Sequence, residues 1–217
     1  MGTVNRSAPG IAVVVTALLL GVTGCGSDAG AAVRPADTPV PSAAVIEQKS
    51  TLAGLIALPR GYVADPKHST GPFGTESYIA NFSAEPALDR ALLLNAGLTE
   101  GYRASRLSPD KKKRYVIQLF KVATPAKAKI LQDGFWSQEP RNHPFRVPGA
   151  LSNAHASYDA GTEKNEAIAE ASIVVGSLVA LLSVRQSAPL GTSIRPDTAL
   201  IADLAVRQRA RLTSNSS

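Results

Sequence analysis

One cysteine in 217 residues excludes an intramolecular disulfide, so a folded domain here must hold by packing alone. The three histidines, His68, His143 and His155, match no zinc-ligand spacing and have too few cysteine partners to close a structural site. No metal site is expected. No glycine-rich phosphate loop is present: "GPFG" (Gly71–Gly74) is not followed by Lys-Ser/Thr. There is no G-x-S-x-G elbow, and the Gly176-Ser177 pair in "VVGSLVA" reads as a hairpin tip. No catalytic residue and no cofactor are therefore expected. Aromatics make up only 5% of the chain and do not interleave with basic residues as in RNA-binding sheets, so nucleic acid is not an expected partner. Long apolar runs are scarce too. Ala167–Val184 is broken by Glu170 and by Gly176-Ser177. Its β-branched Ile173, Val174 and Val175 predict buried strands rather than a membrane helix.

The apolar run that is unbroken, "IAVVVTALLL" (Ile11–Leu20), follows Arg6. It is shorter than the roughly 20 residues a mature membrane helix needs. A basic start, a short apolar stretch and then small residues are the layout of an export signal. The small stretch is "VTGC" (Val22–Cys25). It resembles the lipobox of bacterial lipoproteins: an aliphatic residue, two small ones and a cysteine. The resemblance implies that a diacylglyceryl group is attached to the Cys25 sulfur, that residues 1–24 are removed, and that acyl chains of the palmitate class then anchor the mature chain. One acyl chain holds only marginally, at about 0.8 kcal/mol per buried methylene, whereas two or three hold stably. The alternative is an ordinary signal, with Cys25 discarded or left free.

Residues 25–49 are rich in Gly, Ala, Ser, Pro and Thr and lack aromatics. They read as a disordered tether with a coil span of roughly 25–30 Å and an extended reach of roughly 75 Å. The remainder, residues 50–217, is long enough for one medium domain. The chain carries a formal charge of +6. A basic exterior suits anionic lipids or an acidic wall polymer, and "KKKR" (Lys111–Arg114) is its densest cluster.

Within the domain, "SYIANF" (Ser77–Phe82) reads as a short strand. "PALDRALLLNAG" (Pro86–Gly97) reads as a helix with Leu88, Ala91, Leu92 and Ala96 on its inner face. "YRASRL" and "RYVIQLFKV" flank a turn at Pro109-Asp110, which is a hairpin signature. Thr124 and Pro125 open a helix with Ala128, Leu131 and Phe135 buried. His143–Asn165 reads as loops around an irregular strand. Glu166–Gln186 reads as a second hairpin turning at Gly176-Ser177. Asp197 caps a last helix whose inner face is Ile201, Leu204, Ala205, Gln208 and Leu212. These elements predict an α+β domain: an antiparallel sheet built from hairpins, with helices packed on one face.

Two groups of residues invite a chemical reading. Asp159, Glu163, Glu166 and Glu170 lie on one loop and strand; they read as a self-compensating charged face around Lys164, with a general acid–base pair as the alternative. Tyr102, Tyr115, Phe120, Phe135, Trp136 and Phe145 read as packing between sheet and helix, with a ligand cavity as the alternative. No ligand-binding residue is assigned.

The signal, the Pro/Ala tether and the closing "LAVRQRARL" (Leu204–Leu212) together resemble secreted lipoproteins of actinobacteria. The strand–helix layout is similar to the sensor domains of mycobacterial receptor kinases and to the P subunit of the photosystem-II oxygen-evolving complex. The sensor domains have disulfides that this chain lacks. The resemblance implies a non-enzymatic envelope domain at the extracytoplasmic face of the cell membrane. Its expected contacts are the membrane through Cys25, an anionic lipid or wall polymer, and an envelope protein or small amphiphile. A carrier of lipid in a sheet–helix cavity and an envelope hydrolase are the alternatives.

Overall fold

The computed structural model describes residues 51–139 and 143–215; the signal, Cys25 and the tether lie outside them. A 3-10 turn at Thr51–Leu55 leads to two short strands, β1 (Val63–Ala64) and β2 (Gly71–Phe73). Helices α1 (Thr75–Phe82) and α2 (Pro86–Ala96) follow. The hairpin β3 (Glu100–Leu107) and β4 (Lys113–Lys121) comes next, then α3 (Pro125–Gln138). Strands β5 (Leu151–Asp159), β6 (Lys164–Val175) and β7 (Leu178–Pro189) precede α4 (Thr198–Ser214). The strands form one sheet in the order β1-β3-β4-β7-β6-β5, with β2 also paired to β3. Every pairing between these strands is antiparallel. The fold is α+β, as the element order predicts.

The helices cover both faces of the sheet, and this corrects the expected one-sided packing. In β4, Tyr115, Ile117 and Leu119 join the core beneath Ile201, Leu204 and Leu212 of α4. Phe120 joins the opposite core with Leu93, Leu131 and Phe135 of α2 and α3. Successive strand residues point to opposite faces. The near-continuous apolar runs of β4, β6 and β7 therefore need cover on both sides. The connections supply it: α3 carries the chain from β4 across one face to the far edge at β5, and α4 returns over the other.

Three local expectations change for physical reasons. Residues 75–82 are helix α1, not a strand. The Ser77 hydroxyl accepts from the Gly74 amide at 3.0 Å, and Tyr78 and Phe82, four apart, put their rings 6.0 Å from each other on one helix face. In α2 the inner face is Asp89, Leu93 and Ala96; Leu88 is exposed, because the buried Asp89 turns the helix toward partners on α1's exit and α3. Segment 151–159 is a regular strand, paired along its length with β6. The hairpin at Gly176, whose φ of 54° favours glycine, the cap at Thr124 and the full inner face of α4 follow the sequence reading. Among the described residues no helix is long and apolar enough to cross a membrane.

The core under α1–α3 is aromatic. Phe73, Tyr78, Phe120 and Phe135 stack with centroids 5.3 to 5.9 Å apart. Phe73 packs directly on Gly101: a Cβ there would sit 2.1 Å from the ring.

Candidate functional site

Helix α3 positions the site. Its Gln132 side chain donates to the Ser172 carbonyl at 3.0 Å and to the Ser172 hydroxyl at 3.1 Å, which fixes the helix on β6. One turn later Phe135 is buried in the aromatic core. Beyond it Trp136 is partly exposed, and Glu139 leaves the helix in extended backbone. The stretch Gln132–Glu139 spans two helical turns, so its sheet-facing positions run toward Glu170, two residues from Ser172 on the same face of β6.

A cleft of about 100 Å³ opens there. Its floor is a cross-strand row, Val116 opposite Ser183 and Ser183 opposite Glu170, with Gln118 and Leu181 behind it. Its wall is Phe135, Trp136 and Glu139. Trp136 is the only tryptophan of the chain.

The defining feature is the carboxyl pair. Glu170 Oε2 is buried and meets no amide, hydroxyl or cationic donor; the group that faces it within hydrogen-bond reach is the Glu139 carboxyl. Two acceptors in contact need one proton between them, and a carboxylic acid supplies it. Burial is the first cause that pushes Glu170 up, and the Glu139 charge the second, to about 8 against partial opposition from Arg185. Burial also raises Glu139, opposed by its bond to Glu170 and by Arg185, with Asp89 adding to the rise.

The acidic residues grouped in the sequence do not come together. Asp159 closes the β5–β6 turn by accepting from the Gly161 amide at 2.9 Å and the Thr162 hydroxyl at 2.7 Å. Glu163 and Lys164 are exposed. Glu166 Oε2 pairs with Arg185 Nη1 at 3.3 Å. Glu170 alone enters the cleft, and its partner Glu139 was not singled out. The signal for it was Glu170 itself: a carboxyl inside an apolar strand run needs a partner from another element.

The "KKKR" run divides. Lys111 and Lys112 are exposed at the hairpin tip. Lys113 Nζ is 2.6 Å from Asp197 Oδ2, and Arg114 Nε is 3.0 Å from Asp65 Oδ2. Asp65, its side chain fully buried, also accepts from the Ser105 hydroxyl at 3.0 Å and the Lys67 amide at 3.0 Å, and His68 Nδ1 lies 2.9 Å from its Oδ2. This node ties the β1–β2 connection to β3 and β4. His143 bridges Ala154 through its backbone. His155 is buried, and burial together with Arg185 lowers its pKa against the pull of Glu166. Among the described residues no group of three His, Cys, Asp or Glu side chains is placed to hold a metal ion.

The aromatics grouped in the sequence also separate. Phe120 and Phe135 lie under α1–α3. Tyr115, with Tyr102 and Phe145 at its margin, lies under α4. Trp136 borders the cleft.

No protein-family model matches the chain, and no curated protein matches it. Among solved structures it is similar to the extracellular domain of PknH from Mycobacterium tuberculosis. The identity is 11% and the TM-score 0.41, over 70% of this chain and 81% of that one.

Proposed function

We propose that the protein is a lipoprotein held at the extracytoplasmic face of the cell membrane through Cys25. Its folded domain is a non-enzymatic module that binds a small ligand or an envelope partner, and the cleft beside Trp136 is its ligand site. The supporting observation is the cleft itself: a small concave site with an aromatic wall and convergent polar groups, two of them carboxyls of raised pKa. It suits a small amphiphile, with the apolar part against Trp136 and Leu181 and a hydrogen-bonding group toward Gln118, Ser183 and the carboxyls. Lys111 and Lys112, which no carboxylate engages in the hydrogen bonds and ion pairs described, are the side chains of the basic run left for an anionic lipid or wall polymer.

The alternatives draw less support. A lipid carrier needs room for an acyl chain between sheet and helices, and packed rings occupy the core between the sheet and α1–α3. A glycoside hydrolase needs its carboxyls roughly 5 to 9.5 Å apart, whereas Glu139 and Glu170 are in hydrogen-bond contact.

Two experiments test the reading. Cys25→Ser releases the protein from membranes or leaves it unprocessed; a variant that fractionates and migrates like wild type refutes the anchor. For the cleft, n-butanol serves as a small amphiphilic probe. It changes Trp136 emission saturably, and Ser183→Phe, which fills the cleft, abolishes the change. An emission that does not respond, or a response that survives Ser183→Phe, refutes the site.

A further inference from the structure

We propose that the Glu139–Glu170 contact is a proton-operated latch on the cleft: one shared proton holds the end of α3 on β6, and removing it lets that end lift. As regulation of ligand entry, the latch rests on the cleft being the ligand site.

The end of α3 has few other holds. The helix is anchored upstream by Ala128 and Leu131 in the core and by Gln132 on Ser172. Its middle is fitted to α2, where a Cβ at Gly134 would sit 2.4 Å from the Leu92 side chain. Past Phe135, the tertiary polar contacts of the described residues are Gln138 Nε2 to Asp89 at 3.0 Å and the carboxyl pair. The pair joins the wall of the cleft to its floor, so parting it widens the opening beside Trp136.

The charged surroundings make the proton necessary. From β7, Arg185 faces both carboxyls, but it is half exposed and pairs with Glu166 of β6. From α2, Asp89 adds a like charge beside Glu139. From α1, Tyr78 is buried near Asp89 and Glu139, with Arg103 of β3 on its other side, and burial first and then those two acids push its pKa far up, so it stays neutral. From β5, the neutral Asn153 lies opposite Glu170, and burial and Arg185 lower the pKa of His155 against the pull of Glu166. From β4 the cleft receives Val116 and Gln118, which carry no charge. Among the described residues, Arg185 is the cation that faces the pair and it is shared with Glu166, so loss of the proton leaves two like charges in contact.

The direction in pH follows. A carboxyl whose folded pKa lies above its unfolded value of 4.5 stabilises the closed form fully below that value. It loses the contribution as pH rises through about 8. The test uses the full chain extracted in detergent, without ligand. Acrylamide quenching of Trp136 is followed from about pH 6 to about pH 9, below tyrosine ionisation. Quenching is expected to rise in one step centred near pH 8. Glu170→Gln supplies an amide that donates to Glu139 at every pH, so its step is lost while far-UV circular dichroism is unchanged. Should that variant fail to fold, Glu139→Gln makes the same test from the helix side. A flat wild-type profile, or an equal step in the folded Gln variant, overturns the latch. A pH step without a butanol response at about pH 9, where the latch is open, overturns the ligand site alone, and a butanol response without a pH step overturns the latch alone.

Discussion

The Tyr115 hydroxyl donates to the Ala57 carbonyl at 2.9 Å, joining the centre of β4 to the segment just after the 3-10 turn. Gln208 of α4 completes the junction: its Oε1 accepts from the Ala57 amide at 2.6 Å, and its Nε2 donates to Leu55 at 2.9 Å. Tyr115 and Gln208 are both fully buried, so this polar node sits inside the apolar layer under α4. Tyr115→Phe leaves the Ala57 carbonyl without its donor in a dry site. The expected loss is about 1–3 kcal/mol of unfolding free energy, read by urea denaturation.

Gly101→Ala drives a methyl group into the Phe73 ring. Phe73 packs on Phe120 and Tyr78 and has little room to retreat. The expected cost of overpacking is about 1–3 kcal/mol. Combining it with Phe73→Leu should cost less than the sum of the two single changes, because the shorter side chain makes room. Additive costs in the thermal unfolding of the double variant would show that the ring does not set the requirement.

Asp65 makes stability depend on acid pH. Burial pushes its carboxyl up, but the Lys67 amide, Ser105, Arg114 and His68 together bring it below the ordinary 3.8. A lowered folded pKa contributes stability that is present above the unfolded value and is lost as pH falls through the folded one. Asp65→Asn should cost about 1–3 kcal/mol at neutral pH and flatten the midpoint-against-pH curve below about pH 4. A curve still as steep as wild type would place the acid sensitivity elsewhere.

Asp197 accepts from the Leu200 amide at 3.0 Å at the start of α4 and also holds Lys113. Asp197→Ala should cost about 0.5–2 kcal/mol, as loss of a helix cap does. Substituting Lys111 or Lys112, which point to solvent, should leave the melting temperature unchanged. It should weaken retention on anionic vesicles only if the hairpin tip meets a charged surface.

Local signals in the sequence were sufficient where a single element decides the outcome. Thr124-Pro125 and Asp197 start helices because a side-chain oxygen a few residues away satisfies free amides. Gly176-Ser177 makes a hairpin because the turn needs a positive φ. All five inner residues of α4 were legible from their 3.6-residue period. Tertiary structure decided what depends on packing between elements. Which face each helix covers follows from where the connections run after the strands have paired, and no local period encodes that. The helical state of Ser77–Phe82 was settled by an aromatic core assembled from β2, β4 and α3. The carboxyl pair shows the same division. A glutamate within the apolar run of β6 was visible in the sequence, but its partner lies at the end of α3, and only the helix crossing the sheet brings Glu139 to Glu170.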